Sequence, residues 1–197
     1  MVAARDGTGR PALRLPAYSS SPSPGRAIVR VTPVGGSADP LAPGTRDFVV
    51  GADFALDTES QGTEVDGGNN LIQRGLASDE SQFKIDIDDR RPLCRVQGSQ
   101  GVAEVRMTGE VQPERWHRAT CSRTGDEVRL TVEVLDDGVG TALETVTVEV
   151  VTGDLRWDRA QTPVSVGGKL AANGEIIRSA TDQFNGAVAN PVLQITD

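Results

Sequence analysis

The chain is built from short stretches in which apolar and polar residues alternate, the pattern of a β-strand with one covered face. The clearest stretch spans residues 46–57, where every second side chain from Phe48 to Leu56 is apolar. Residues 81–88 and 128–134 alternate in the same way. No window of a dozen residues shows the 3.6-residue period of an amphipathic helix. The alternation therefore predicts an all-β protein.

Turn residues separate these stretches from further predicted strands. Glycine and proline supply about one residue in six of the 197, which is typical of a chain with many turns. A β-branched run at 143–151 predicts a well-covered strand. The remaining predicted strands are 11–17, 26–32, 69–74, 93–97, 102–107, 116–123, 163–166 and 184–195.

About a dozen strands, several of them apolar on both faces, favour two stacked antiparallel sheets over a small closed barrel. At this length we expect a single domain over residues 1–197, with residues 1–10 as a flexible N-terminal segment.

The charge balance excludes some classes of partner. The net charge is −8 at pH 7, and the sequence pI is near 4.7. Proteins that bind a phosphate backbone or an anionic membrane surface carry a basic footprint. No stretch approaches the roughly 20 apolar residues of a membrane-spanning helix. We therefore expect no nucleic-acid partner and no membrane insertion.

The chain has two cysteines, Cys94 and Cys121, and both fall in predicted strands. Cys94 shares a strand face with Val96, and Cys121 shares one with Ala119 and His117. Two interpretations stay open: buried free thiols in a cytosolic protein, or a disulfide between two strands of a secreted domain. Because both thiols point to a covered face, the pattern favours the disulfide. The N-terminus contains no apolar stretch of signal-peptide length, so secretion requires a signal peptide that is not in this chain.

Four passages, in their order along the chain, carry a resemblance to a known family. They are DFVVGADF (47–54), NLIQRG (70–75), WHRATCSR (116–123), and PVSVGGK (163–169) followed by DQFNG (182–186). Together they resemble the laminin-G-like and concanavalin-A-like lectin and glucanase domains, in particular secreted actinobacterial-type members. The resemblance implies a two-sheet antiparallel jelly-roll sandwich.

The same resemblance implies a structural Ca²⁺ ion, which in this fold class is often held by a carboxylate on the last strand and by nearby oxygens. Asn190 stands where an acidic residue often follows the Phe-x-Gly element, which keeps an oxygen ligand but removes a charge. The other candidate ligands are Asp182, Asp66 and Asn69. The alternative is that these are ordinary polar turn residues, because Asp and Asn are favoured in turns.

The sequence contains no convincing catalytic constellation. Asp86 and Asp88 have the spacing of a same-face carboxylate pair, as a glycosidase needs, but we interpret them as a solvated strand face. His117, the only histidine, shares the covered face of its strand and is expected to be structural. We therefore expect a protein that is not an enzyme.

Ligand binding remains as the expected function. Sugar-binding domains expose aromatic rings for stacking, and two aromatic residues are left over from the predicted core. Trp157 is flanked by Arg156, Asp158 and Arg159, and Tyr18 lies in the N-terminal region. The alternative for Trp157 is that it covers the mouth of the sandwich.

Three hypotheses follow. The first is a non-catalytic, secreted, lectin-like domain that binds a glycan. The second is a protein-interaction or adhesion domain of the cell envelope with an extracellular protein partner. The third is a glycan-cleaving enzyme that uses Asp86 and Asp88. One sandwich fold hosts many functions, so fold alone does not rank them.

Overall fold

The computed structural model describes residues 2–21, 23–34, 39–60, 68–157, 162–178 and 181–196. Within them the chain forms thirteen β-strands and no helix, and so none that is long and apolar enough to span a bilayer. The strands are β1 (Val2–Arg5), β2 (Pro11–Arg14), β3 (Val29–Val31), β4 (Asp47–Leu56), β5 (Asn69–Arg74), β6 (Gln82–Asp88), β7 (Arg91–Gly98), β8 (Gly101–Arg106), β9 (Trp116–Thr124), β10 (Glu127–Asp136), β11 (Val139–Glu149), β12 (Val164–Val166) and β13 (Gly186–Thr196).

The strands form two antiparallel sheets. The seven-stranded sheet has the order β1-β2-β13-β4-β9-β10-β11, and the six-stranded sheet has the order β3-β12-β5-β6-β7-β8. Non-consecutive neighbours such as β13 and β4 show that the chain crosses between the sheets. The predicted all-β, two-sheet antiparallel jelly-roll sandwich is confirmed.

The core lies between the two sheets and follows the predicted alternation. Phe48 and Phe54 of β4 face Phe83 of β6 and Phe184, and all four rings are at most 1% exposed. Phe54 and Phe184 meet edge to face, with ring centroids 6.1 Å apart. Burying each such side chain stabilises the fold by roughly 1.5–3 kcal/mol.

A disulfide joins the two sheets through this core. Cys94 lies on β7 of the six-stranded sheet and Cys121 on β9 of the seven-stranded sheet, with Cα atoms 5.6 Å apart. Both residues are fully buried, and neither thiol is free. The disulfide that the strand faces favour is therefore confirmed, and the interpretation as two free thiols is wrong.

One strand is additional to those predicted, and another is less covered than expected. β1, whose sequence lacks an apolar alternation, pairs with β2 in antiparallel register; the flexibility of segment 1–10 stays a prediction. β11 was expected to be well covered, which is wrong because it is the edge strand of its sheet. Only one face of β11 is half-buried, at Val146 and Val148, while Thr145 and Thr147 are exposed.

Loops at one end of the sandwich hold one another together. Gly44, before β4, pairs with Leu155, after β11, through two backbone hydrogen bonds of 3.1 Å. The backbone amide of Ser99 donates to the carbonyl of Asp154 at 3.0 Å. We call this end the Trp157 rim; it consists of residues 39–46, 75–81, 98–101 and 150–157.

His117 lies on the core side of β9, as predicted. It is 1% exposed and stacks on Phe54, with ring centroids 5.5 Å apart. Burial lowers the pKa of His117 below its usual value of 6.5, and a hydrogen bond to the backbone of Arg115 offsets part of this effect. The native protein therefore keeps a neutral imidazole where the unfolded chain would be protonated.

This burial predicts a loss of stability in acid. Below pH 6.5 the unfolded chain binds a proton that native His117 does not, so the free energy of unfolding falls as the pH drops, by at most about 1.4 kcal/mol per pH unit. Denaturant unfolding of the wild type and of His117→Gln between pH 7 and pH 5 measures the effect. The wild type should lose stability more steeply, whereas parallel slopes for the two proteins would contradict the assignment.

Candidate ligand-binding site

Trp157 is fixed at the Trp157 rim by two neighbours. Its indole meets the ring of Phe83 edge to face, with centroids 5.9 Å apart. The guanidinium of Arg74 lies over the indole, 4.1 Å from the ring centroid. Trp157 is half-buried and lines two clefts of the rim.

Arg74 is itself fully buried at the end of β5. It forms a bidentate pair with Asp39, with Nη2–Oδ2 at 2.6 Å and Nη1–Oδ1 at 3.2 Å, and its Nε donates to the carbonyl of Thr162 at 3.0 Å. Burial lowers the pKa of Arg74, and Asp39 opposes this effect. The ion pair with Asp39 therefore fixes the position of the Arg74 guanidinium, against which the indole of Trp157 packs.

Gly75 lets the indole approach the backbone. Its φ is +77°, and a Cβ placed there would lie 2.2 Å from the carbonyl oxygen of Ser81 and 2.6 Å from Nε1 of Trp157. Any other residue would push the ring out of its place. Nε1 of Trp157 is buried and has no hydrogen-bond partner among the described residues.

Two clefts flank Trp157, and both are also lined by Arg156. The larger, about 570 Å³, lies against Asp39 and residues 42–46. The smaller, about 270 Å³, lies against residues 78–81, Thr162 and Ala172. The tryptophan therefore separates two concave surfaces of a size that suits small ligands or sugar units.

The two clefts differ in charge. The side chain of Arg156 is 77% exposed and pairs with Asp154 at 2.7 Å. The smaller cleft is lined by the carboxylates of Asp79 and Glu80. The larger cleft is lined by Asp39, which pairs with the buried Arg74, and by Arg46. The guanidinium of Arg156 lines both clefts.

The side chain of Arg123 connects the loops around the larger cleft. This buried side chain donates to the carbonyls of Gly153 and Gly44 at 2.8 Å each, and also to the carbonyl of Arg46. Sequence reasoning missed this role, although the signal was present: Arg123 shares its strand face with Cys121. An arginine on the apolar face of a strand requires buried acceptors.

The structure brings two of the five predicted ligand residues to the clefts, Trp157 and Arg156. Asp158 and Arg159 lie outside the described residues. Tyr18 is half-buried in the segment after β2 and lines neither cleft. Packing of Trp157 on Phe83 also agrees with the alternative that it covers the mouth of the sandwich.

The predicted calcium ligands are engaged with protein groups. Asn69 donates from Nδ2 to the carbonyl of Ser60 at 2.7 Å and accepts at Oδ1 from the amide of Asn185 at 2.9 Å. Asp182 accepts from Nζ of Lys169 at 2.7 Å.

Asn190 lies at a bulge in β13 and donates to Asp53 at 2.7 Å, and Asp53 in turn pairs with Arg118. Asp66 lies outside the described residues. The residues that the structure describes contain no group of three or more metal-ligating His, Cys, Asp or Glu side chains. The set therefore does not form one coordination shell in the described residues, and calcium binding stays a prediction.

The predicted solvated face at Asp86 and Asp88 is wrong for Asp86. Asp86 is 8% exposed and forms an ion pair with Lys84. Burial raises the pKa of Asp86, and Lys84 opposes this effect. Asp88 is half-buried and pairs with Arg106 at 3.2 Å. A strand pattern shows that Asp86 lies on the polar face, but it does not reveal that this position is buried.

The fold is that of a concanavalin-like sandwich, and solved structures of this class match it. The LG1–3 region of the laminin α2 chain matches over 85% of this chain at 17% identity, with a TM-score of 0.58. A heptameric pentraxin from Limulus polyphemus matches over 91% at 10% identity, with a TM-score of 0.51, and this chain covers 73% of it.

A third match is the enzymatically active domain of tailspike protein 2 of bacteriophage CBA120, over 100% of this chain at 10% identity, with a TM-score of 0.55. The chain spans 30% of the laminin region and 27% of the tailspike domain. No protein-family profile and no curated protein sequence matches the chain. At these identities the matches define the fold.

Proposed function

We propose that the protein is a non-catalytic binding domain that holds a carbohydrate at the Trp157 rim. The observation that carries the proposal is the half-buried indole of Trp157, fixed by Arg74 and Phe83 between two clefts. A sugar ring has an apolar face that packs on an aromatic ring, and binding sites combine such a surface with a few polar groups.

Polar groups around the ring suit sugar hydroxyls. Arg156 offers donors on both sides of Trp157, while Asp79 and Glu80 offer acceptors in the smaller cleft. Since Arg74 and Gly75 hold the indole in place before binding, little side-chain freedom is lost on association, which favours affinity. Asp158, Arg159 and Tyr18 stay candidates for further contacts.

Secretion forms part of the proposal. A structural disulfide in the core is typical of proteins that mature in an oxidising compartment. Laminin and pentraxin domains share the fold. We therefore propose that this protein binds an extracellular ligand, either a glycan or a protein.

An extracellular protein partner is the second candidate. The observation that favours it is a pair of exposed valines at the same end, Val102 at the start of β8 and Val151 after β11, 43% and 49% exposed. Exposed apolar side chains at a rim are a common feature of protein interfaces. Sugar binding needs no such pair.

The proposal predicts binding on an array of glycans and cell-wall polysaccharides. Trp157→Ala should weaken the binding at least about tenfold, which corresponds to 1.4 kcal/mol. Arg156→Ala, at an exposed position that should not affect folding, should weaken it less. Arg115→Ala, whose side chain is 42% exposed and pairs with Asp136 at the opposite end of β9, is the matched control and should bind like the wild type.

The array is run with Ca²⁺ and with EDTA. Loss of binding in EDTA would support the calcium ion, and equal binding in both buffers would argue against it. A blank array in both buffers would contradict the carbohydrate proposal and favour the protein partner. Release of reducing ends from a glycan, abolished in Asp86→Asn/Asp88→Asn, would instead support the enzyme hypothesis.

A further inference from the structure

The only two lysines of the chain lie on one patch of the six-stranded sheet. Eighteen of the 20 basic residues are arginines, and the two exceptions are Lys84 and Lys169. Lys84, on β6, pairs with Asp86 on the outer face of the sheet. Lys169 follows β12 and pairs with Asp182 at 2.7 Å.

Asn70 connects these two ion pairs. It is the register partner of Asp86 across β5 and β6. Its Nδ2 donates to Oδ2 of Asp182 at 3.3 Å, and its backbone amide donates to the carbonyl of Asp182 at 3.0 Å. We call Asn70, Lys84, Asp86, Lys169 and Asp182 the lysine–aspartate cluster.

Two buried acceptors in the cluster have no donor. Oδ1 of Asn70 and Oδ1 of Asp86 lack a hydrogen-bond partner among the described residues, although Asn70 is 1% and Asp86 8% exposed. A buried polar atom without a partner costs about 1–3 kcal/mol. A ligand that donates hydrogen bonds to these oxygens recovers that cost.

The side chains of the lysine–aspartate cluster lie at different depths below the protein surface. Both lysine side chains are 21% exposed, whereas Asn70 lies beneath them. An approaching ligand therefore meets the ammonium groups first, and the flexible lysine side chains must swing aside before it reaches the two oxygens.

We propose that the lysine–aspartate cluster is a second ligand site, which binds neighbouring hydroxyl groups of a neutral sugar. A hydroxyl both accepts and donates hydrogen bonds, so it can accept from a lysine ammonium while it donates to Oδ1 of Asp86 or Asn70. Two ammonium and two carboxylate charges cancel, which disfavours an anionic ligand. The site does not depend on the Trp157 rim.

The acylation rate of the lysine amines reports directly on ligand binding at this site, because the chain has only two lysines. The wild-type protein is treated with acetic anhydride alone and with neutral oligosaccharides of glucose, galactose, mannose or xylose, and each amine is quantified by mass spectrometry. One of these sugars should slow acetylation of both Lys84 and Lys169 at least about threefold. The α-amino group is the internal control and should react at an unchanged rate. Equal lysine acetylation with every neutral sugar would overturn the proposal.

The same acetylation experiment on the Trp157→Ala variant distinguishes the two sites. Protection of both lysines that survives this substitution supports the cluster as an independent site, even if array binding at the rim is lost. Protection that disappears with Trp157 would mean that the rim alone binds sugar, and it would overturn the second site. A blank array together with lysine protection would contradict the rim proposal and leave the cluster standing.

Discussion

Replacing Asp39 with alanine is expected to lower the free energy of unfolding by about 3–5 kcal/mol. Arg74 is fully buried, and Asp39 is its only carboxylate partner among the described residues. Removing Asp39 leaves a guanidinium in the protein interior without a counter-charge. Urea unfolding followed by circular dichroism measures the change.

Two comparisons make this prediction sharp. Arg74→Met should cost less than Asp39→Ala, because the side chain of Asp39 is 13% exposed and can be hydrated when it loses its partner. Asp136→Ala removes an exposed ion pair with Arg115 and should cost no more than about 1 kcal/mol. Equal losses for Asp39→Ala and Asp136→Ala would show that the Arg74 pair has no special role.

Removing the disulfide should have an effect of similar size. The bridge joins positions 27 residues apart and links the two sheets. In the chain-entropy account, a loop of this length stabilises a fold by about 3–4 kcal/mol. For a protein of this size the melting temperature should fall by roughly 6–16 °C.

Thermal unfolding of Cys94→Ala/Cys121→Ala beside the wild type tests this effect, and so does unfolding of the wild type with a reductant. The native wild type should also show no thiol that reacts with a thiol reagent. Two reactive thiols, or a melting temperature that a reductant leaves unchanged, would refute the bridge and weaken the argument for secretion.

Most of the fold could be predicted from the alternation of apolar residues. The face of β4 from Phe48 to Leu56 is buried as expected, and β5 has the predicted bounds, Asn69–Arg74. The same logic placed Cys94 and Cys121 in the core. Period-two patterns are informative here because one face of each such strand meets the opposite sheet.

Strands that lie at an edge were harder to predict. β11 contains a β-branched run, yet it ends its sheet, and its composition cannot show whether another strand covers it. β1 has no apolar alternation, although it pairs with β2 along its whole length. Position within a sheet depends on chain crossings that a local pattern does not record.

The candidate site was predicted in part. Trp157 and Arg156 were chosen as residues left over from the predicted core, and both line the clefts. The pair of Arg74 with Asp39 was missed, because the two residues lie 35 positions apart and no local pattern links them. The same reason hid the lysine–aspartate cluster, which long-range packing assembles.

The central claim is that a carbohydrate binds against Trp157, and fluorescence of this residue tests it most directly. The chain has two tryptophans, so Trp116→Phe leaves Trp157 as the only indole. A glycan that binds on the array is titrated into this variant while calorimetry measures its dissociation constant. The account predicts a saturable change in Trp157 emission with the same constant. A glycan that binds by calorimetry without any change in Trp157 emission would contradict it.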